Sequence, residues 1–322
     1  MPNLKTDRRA SSLPRLHDPV LLPAELANPV VAIGNFDGVH RGHRRVFAQT
    51  LALARRLGRP AAVLTFSPHP RLFFQPGALR FELTPSSVQS ELLAGIGMDG
   101  VIVLSFDASL AALTAEEFIN EILIKRLKVS AVVAGADFHF GKGRTGSPET
   151  LKASGKAHGF AVEIVDQLAD GDTVISSTLI RDALAAGEIA AANAMLGYDW
   201  FIRGEVIHGE KRGRELGYPT ANIRLAPGCQ LKHGIYAVRM RLDGQQWPAV
   251  ASFGRRPTFD NGAPLLEVHV FDFSESLYGK TPEIVFVRYL RDELKFDSVE
   301  ALVRQMNADS AEAMAVLAAK QE

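Results

Sequence analysis

Two histidines three residues apart, His40 and His43, close the string Gly34-Asn35-Phe36-Asp37-Gly38-Val39-His40-Arg41-Gly42-His43, which follows directly on an apolar strand-like run at 30–34. A strand end that passes into a helix start offers unpaired backbone amides and a partial positive charge, where a phosphate group binds most readily. At this spacing both imidazoles face the same side of a first helical turn. Together they can hydrogen-bond the α-phosphate of ATP and stabilise the charge that builds during in-line displacement of pyrophosphate. Gly38 and Gly42 permit close backbone approach. The spacing alone is equally compatible with a metal site or a solvated helix face.

A second segment, 204–222, reads GEVIHGEKRGRELGYPTAN and places Gly209, Gly213 and Gly217 four residues apart among Lys211, Arg212 and Arg214. Such a loop lets backbone amides approach phosphate oxygens without interference from Cβ atoms. Pro219 fixes the turn, and Thr220 and Asn222 then present two neutral oxygen ligands suited to Mg²⁺ carrying a nucleotide. A basic surface loop is the alternative. A third glycine string, 141–146, matches G-x-G-x-x-G with Asp166 further on, but Asp137 and the residues after it separate it from the preceding strand run, so dinucleotide geometry is absent.

The elements that must hold these segments follow from periodicity. Five short apolar runs, VVAIG, AAVLTF, VIVLSF, AVVAG and FAVEIV, alternate with helix-like or turn sequence between residues 30 and 187, which predicts a parallel sheet with helices on both faces. Val46, Thr50, Leu53 and Leu57 form one helical stripe after the first strand, stopped by Gly58 and Pro60. Thr114 and Glu117 make a capping box before Phe118, Ile122 and Ile124. Beyond 187 the runs at 201–209, 234–243, 247–253, 265–273 and 284–290 are strand-like, and Asp297 with Glu300 caps one final helix, as expected of a small antiparallel β-barrel carrying a C-terminal helix. The boundary is expected within 185–200, with domains 1–187 and 188–322.

Composition narrows the function classes. Hydrophobic residues make up 47% and charged residues 22% of the 322, enough for two cores. Lys+Arg and Asp+Glu are equal at 36 each, so no global positive field attracts nucleic acid. Cys229 is the single cysteine, which excludes an intrachain disulfide and a cysteine zinc cluster and fits a reducing, cytoplasmic setting. Pro23 and Glu25 interrupt the apolar stretch near the start, so no secretory signal is read, and no run of about 18 apolar residues suggests a membrane span.

The first string resembles the GxFDGxHxGH motif of the HxGH nucleotidyltransferases, in particular the FMN adenylyltransferase module of bacterial bifunctional riboflavin kinase/FAD synthetases. Phe66-Ser67-Pro68-His69-Pro70 resembles that family's FxPHP element, 135–141 its GxDFxFG element, and 176–181 its ISSTxIR segment. This resemblance implies a Rossmann-like doubly wound domain in which Gly34, Phe36, Asp37, Gly38, His40, His43, Ser177, Thr178 and Arg181 bind ATP. It also implies that His69, Asp137, Phe138 and Phe140 bind flavin.

The second string resembles the riboflavin kinase motif GxxxGRxLGxPTAN. Segments 234–237, 256–259 and 290–296 are similar to that family's GVYA, RPTF and LRxExKF elements. The resemblance implies ATP at Gly209, Gly213, Arg214, Gly217, Thr220 and Asn222, with Mg²⁺ on the last two and flavin against Arg291 and Glu293. Glu267 falls at the family's catalytic base, on a strand where it points opposite to Leu266 and Val268. Ser252 stands where the family often has asparagine, from which altered ligand affinity follows.

The expected function is phosphorylation of riboflavin to FMN in the C-terminal domain and adenylylation of FMN to FAD in the N-terminal one, with ATP and Mg²⁺ in both. Rival readings keep one live activity, or make the chain a flavin-binding regulator without turnover. The expected partners are riboflavin, FMN and ATP, without nucleic acid or membrane; a homo-oligomer and transient delivery to apoflavoproteins complete the expectation.

Overall fold

Each of the five apolar runs forms a strand because β-branched and small residues pack on both faces of a parallel sheet. In the computed structural model, which describes residues 13–75, 77, 79–208, 217–225, 228–255 and 264–319, they are β2 (Val30–Ile33), β3 (Ala61–Ser67), β4 (Gly100–Ser105), β5 (Ala131–Gly135) and β6 (Ala161–Val165). A strand absent from the sequence prediction, β1 (Arg15–His17), adds an edge beside β4. Three residues give too short a pattern for periodicity to register. The order is β1-β4-β3-β2-β5-β6, and every pair is parallel.

Alternate residues feed two cores. Val31, Ile33, Leu64, Ile102 and Val132 pack with Phe118, Leu123 and Leu151 on one face. Val30, Ala32, Val63, Val101 and Val133 pack with Val46, Phe47, Leu53 and Leu93 on the other. The fold is therefore doubly wound. The helix α1 (Arg41–Leu57) buries Val46, Phe47, Thr50, Leu53 and Ala54 and ends on Gly58 at φ 61°. Leu57 departs from the predicted stripe: it is 43% exposed, since the last turn runs past the sheet. The Thr114–Glu117 capping box is present, and the helix after it widens into a π-helix over Phe118–Arg126.

The strand order reverses at β2, so the loops after β2 and β5 diverge and open a crevice at their carboxyl ends. In open α/β sheets this is where ligands bind. A short hairpin, β7 (Ala169–Asp170) and β8 (Thr173–Val174), follows β6.

The chain divides by contacts into two units, Met1–Ser177 and Thr178–Glu322. The helix Ser177–Ala186 starts on the last residue of the first unit; the second continues with the helix Ile189–Leu196, then forms β9 (Phe201–Arg203), β10 (Val206–Ile207), β11 (Ala221–Arg224), β12 (Gly234–Leu242), β13 (Gln245–Arg255), β14 (Pro264–Val270) and β15 (Glu283–Arg291). These seven strands are antiparallel in the order β10-β11-β14-β13-β12-β15-β9. The predicted run at 201–209 is thus broken in two, and its halves lie at opposite ends of the sheet.

That break reveals the shape. Six strand spacings would separate β9 and β10 by roughly 29 Å in a flat sheet, yet two residues, able to span only about 10 Å, join them. The sheet must curl until its ends meet. The corner falls at Gly204, where a Cβ would lie 2.5 Å from Ile223. The helix Val299–Ala319 covers the outer face through Ala313 and Leu317 against Ala237 and Val287. Its first turn is capped by the Ser298 hydroxyl, which accepts from Ala301 N at 3.1 Å, in place of the predicted Asp297.

Candidate active sites

At the carboxyl end of β2 the chain turns through an unusual backbone path. Phe36 and Val39 adopt φ of 53° and 43°, and Gly38 adopts 89°. Non-glycine residues hold such angles only where surrounding contacts over-determine them. Here the Asp37 carboxylate accepts from Leu83 N at 2.9 Å and Thr84 N at 3.1 Å, and Gly38 N donates to Thr84 Oγ1 at 2.9 Å. Ser177 Oγ donates to Asp37 O at 2.8 Å, and Arg80 lies 3.7 Å from the same carboxylate. Asp37 therefore ties the nucleotide turn to segment 80–84 and to the start of the Ser177 helix. Gly34 accommodates the Phe36 ring, because a Cβ there would meet it at 3.0 Å.

His40 is the N-cap of α1, its Nδ1 accepting from His43 N at 3.3 Å. An accepting Nδ1 carries no proton, so the neutral ring has its N–H at Nε2. Burial pushes His40 down to about 4, with Asp137 acting in the opposite sense. The His43 ring stacks on His40 at 3.5 Å and meets the Phe36 edge at 5.2 Å. Burial, reinforced by His40, holds His43 well below its usual range, and its Nδ1 is enclosed without a hydrogen-bond partner among the described residues. Both rings are neutral donors at pH 7. Gly42 makes the stack possible, since a Cβ there would fall 3.1 Å from the His40 ring.

The remaining predicted first-site residues lie on three further segments. His69 caps the helix Pro70–Phe74, accepting from Arg71 N at 3.1 Å, with Arg80 3.3 Å from the same nitrogen. Asn35, Thr65, His69, Arg80, Glu82 and Gln89 help line one cavity beside it. Asp137 is exposed at the tip of β5. Phe138 stacks on Phe140 at 5.4 Å, but Phe140 is 6% exposed, packs on Phe118, and backs Phe138 from the core. Thr178 and Arg181 continue on the Ser177 helix. The glycines at 141 and 146 serve packing: a Cβ at Gly141 would strike Ala115 N at 2.6 Å, and one at Gly146 the Phe140 ring at 2.7 Å.

The second site is a row across the curled sheet. Antiparallel register pairs Asn222 with Glu267, Glu267 with Ser252, Ser252 with Ile235 and Ile235 with Arg291. Directly paired residues share a face. Leu266 and Val268, both at 0% exposure, fill the interior, so Glu267 stands on the outer face, as alternation predicts. Asn222 is 5% exposed, and its Oδ1 has no hydrogen-bond partner among the described residues. A buried carbonyl oxygen left unpaired costs about 1–3 kcal/mol.

Nearby, His269 Nδ1 donates to Pro219 O at 2.9 Å, and the Tyr218 hydroxyl donates to Asn307 Oδ1. Glu293 lies over Gly254, where a Cβ would meet its carboxylate at 2.0 Å, and 3.8 Å from His233. Gly217 adopts φ 83° and Thr220 precedes β11. Gly209, Lys211, Arg212, Gly213, Arg214 and the 256–259 turn lie outside the described residues.

Sequence reasoning missed Arg80, Thr84, Tyr218, His269 and Asn307. Thr84 lies 46 positions from Gly38, and no local pattern announces such a contact.

A helix start that presents two neutral imidazoles at a sheet switch point, and a carboxylate in register with Asn222 on a curled sheet, give the chain two sites of the kind suited to a nucleotide-dependent transferase. Residues 22–179 match the FAD synthetase family and residues 196–317 the riboflavin kinase family. The bifunctional riboflavin kinase/FMN adenylyltransferase of Pseudomonas fluorescens is 42% identical over 290 residues, covering 90% of this chain and 93% of that protein. Its counterpart in Escherichia coli strain K12 is 38% identical over 281 residues, covering 87% and 90%. A Streptococcus pneumoniae crystal structure described as a macrolide-efflux protein superposes with a TM-score of 0.84 at 32% identity, covering 93% of this chain and 98% of that one. No helix among the described residues here is long and apolar enough to cross a membrane.

The chain belongs to the bifunctional riboflavin kinase/FMN adenylyltransferase family. It is an enzyme of FAD biosynthesis that uses ATP to make FMN from riboflavin and FAD from FMN.

Proposed function

We propose that adenylyl transfer runs at the β2–α1 turn and riboflavin phosphorylation on the outer face of β11, β14 and β13. In the first site, two neutral N–H donors at a helix N-terminus stabilise the α-phosphate oxygens as FMN attacks and pyrophosphate leaves. Gly34, Phe36, Asp37 and Gly38 shape the nucleotide turn, while Ser177, Thr178 and Arg181 complete the triphosphate contacts. His69, Asp137 and Phe138 face the flavin, backed by Phe140. The domain limits 1–187 and 188–322 keep the Ser177 helix with the first site, a reading supported by the Ser177–Asp37 hydrogen bond.

In the second site Glu267 takes the proton of the ribityl 5′-hydroxyl as that oxygen attacks the γ-phosphorus of ATP and ADP departs. The Asn222 Oδ1 carries this assignment, because a buried oxygen unpaired among the described residues and one strand from a carboxylate fits a hard cation. Thr220 and Asn222 would hold Mg²⁺, which when bound supplies positive charge against the transferring phosphoryl group. Gly209, Gly213, Arg214 and Gly217 cradle the phosphates, and Arg291 and Glu293 serve the flavin side. Cytoplasmic location is supported by the single cysteine. Self-association and direct hand-over of FAD to apoflavoproteins complete the proposal.

Asn222→Ala tests the metal assignment. It removes the orphaned oxygen, and we expect the Mg²⁺ concentration for half-maximal kinase rate to rise at least about tenfold, the worth of one charge-assisted contact. Titration of riboflavin phosphorylation with MgCl₂ at fixed ATP measures this; an unchanged midpoint overturns the ligand role.

A further inference from the structure

The stretch 305–309 of the C-terminal helix holds the kinase site at two places. Arg291, at the end of the row containing Glu267 and Asn222, donates through Nε to Asp309 Oδ1 at 2.7 Å and through Nη2 to Asp309 Oδ2 at 2.5 Å. Asp309 is 5% exposed, and Gln305 Nε2 donates to its Oδ1 at 2.9 Å. A bidentate, largely buried pair of this kind fixes the plane as well as the position of a guanidinium. Arg291 Nη1 donates to Asp292 O at 2.8 Å, so the fork is held from both sides. Two residues before Asp309 on the same helix, Asn307 accepts from Tyr218, whose neighbour Pro219 is held by His269. Tyr218 sits two residues before Thr220.

We propose that Asp309, supported by Gln305, is a positioning residue for riboflavin phosphorylation. It acts through Arg291 and orients the flavin-side guanidinium that a strand terminus alone would leave free to swing. The same helix steadies the opposite end of the site through the Asn307–Tyr218 contact. The C-terminal helix is thus part of the kinase machinery as well as the cover of the barrel's apolar face. This rests on the flavin role of Arg291 proposed above.

The test compares Arg291→Ala, Asp309→Asn and the double variant of the full chain in riboflavin phosphorylation, with melting followed by near-ultraviolet circular dichroism. Asp309→Asn should raise the riboflavin KM roughly tenfold with kcat within about twofold, the scale of a lost charged hydrogen bond. The double variant should match Arg291→Ala alone, because both changes disable one unit. An Asp309→Asn variant with unaltered KM, beside an Arg291→Ala variant with a raised one, overturns the positioning role alone. An unaltered KM in Arg291→Ala overturns the flavin assignment and the proposal with it. Should Asp309→Asn lose its melting transition, Gln305→Leu decides instead: a KM raised about threefold at constant kcat supports positioning, consistent with one neutral hydrogen bond, and an unchanged KM overturns it.

Discussion

His43→Ala lowers FAD formation from FMN by about 10²–10³-fold, the usual cost of deleting one preorganised donor to developing charge, while riboflavin phosphorylation proceeds at the parent rate. The expectation comes from the state of the ring. His43 is neutral because burial and the stacked His40 both disfavour its charge. In the proposed site it would act as a fixed dipole toward the α-phosphate, with no charge to be neutralised by solvent. Its loss leaves α1 intact, since the helix is anchored by Phe47, Leu53 and Ala54 in the core and capped by His40. Pyrophosphate release from FMN and ATP measures the first activity and conversion of riboflavin to FMN the second. An adenylylation rate within about threefold of the parent would remove His43 from the chemistry, because deleting a preorganised donor to developing charge costs about 10²-fold or more.

Glu267→Gln does the reverse: riboflavin phosphorylation falls by about 10²–10⁴-fold, the contribution of a positioned general base, and FMN adenylylation persists. Glutamine retains the shape and hydrogen-bonding reach of the side chain but cannot take the ribityl proton. The position between Asn222 and Ser252 in the row makes the assignment specific. Separate rates for the two half-reactions measure the effect. If both vanish in either well-folded variant, the two sites are not independent and the assignment fails.

How much of this was legible in the sequence differs between the two sites. The histidine pair is local: a strand, a turn and one helical turn lie within fourteen residues of Val30, so periodicity and capping chemistry place His40 and His43 together without tertiary information. The clamp beneath them is not local. Asp37 could be read as a ligand for nucleotide, but its hold on Leu83 and Thr84 depends on how a loop folds back across the sheet.

In the second site, alternation predicts the face of Glu267 but not its neighbours. Those depend on register between strands far apart in sequence, which no single strand encodes. Phe140 illustrates the converse: its motif suggests contact with flavin, and only the packing of Phe118 and Phe138 shows that it lies in the core. The run at 201–209 reads as one strand because its apolar residues continue across Gly204. The corner there comes from barrel closure, which is a property of the whole sheet.

The central claim is that one chain carries riboflavin through to FAD. Chromatography of the products formed from riboflavin and Mg-ATP over time tests it most directly. FMN should appear first and then decline as FAD rises, with one pyrophosphate released for each FAD and ADP for each FMN formed. Riboflavin that remains unchanged, or FMN that accumulates with no FAD, would contradict it.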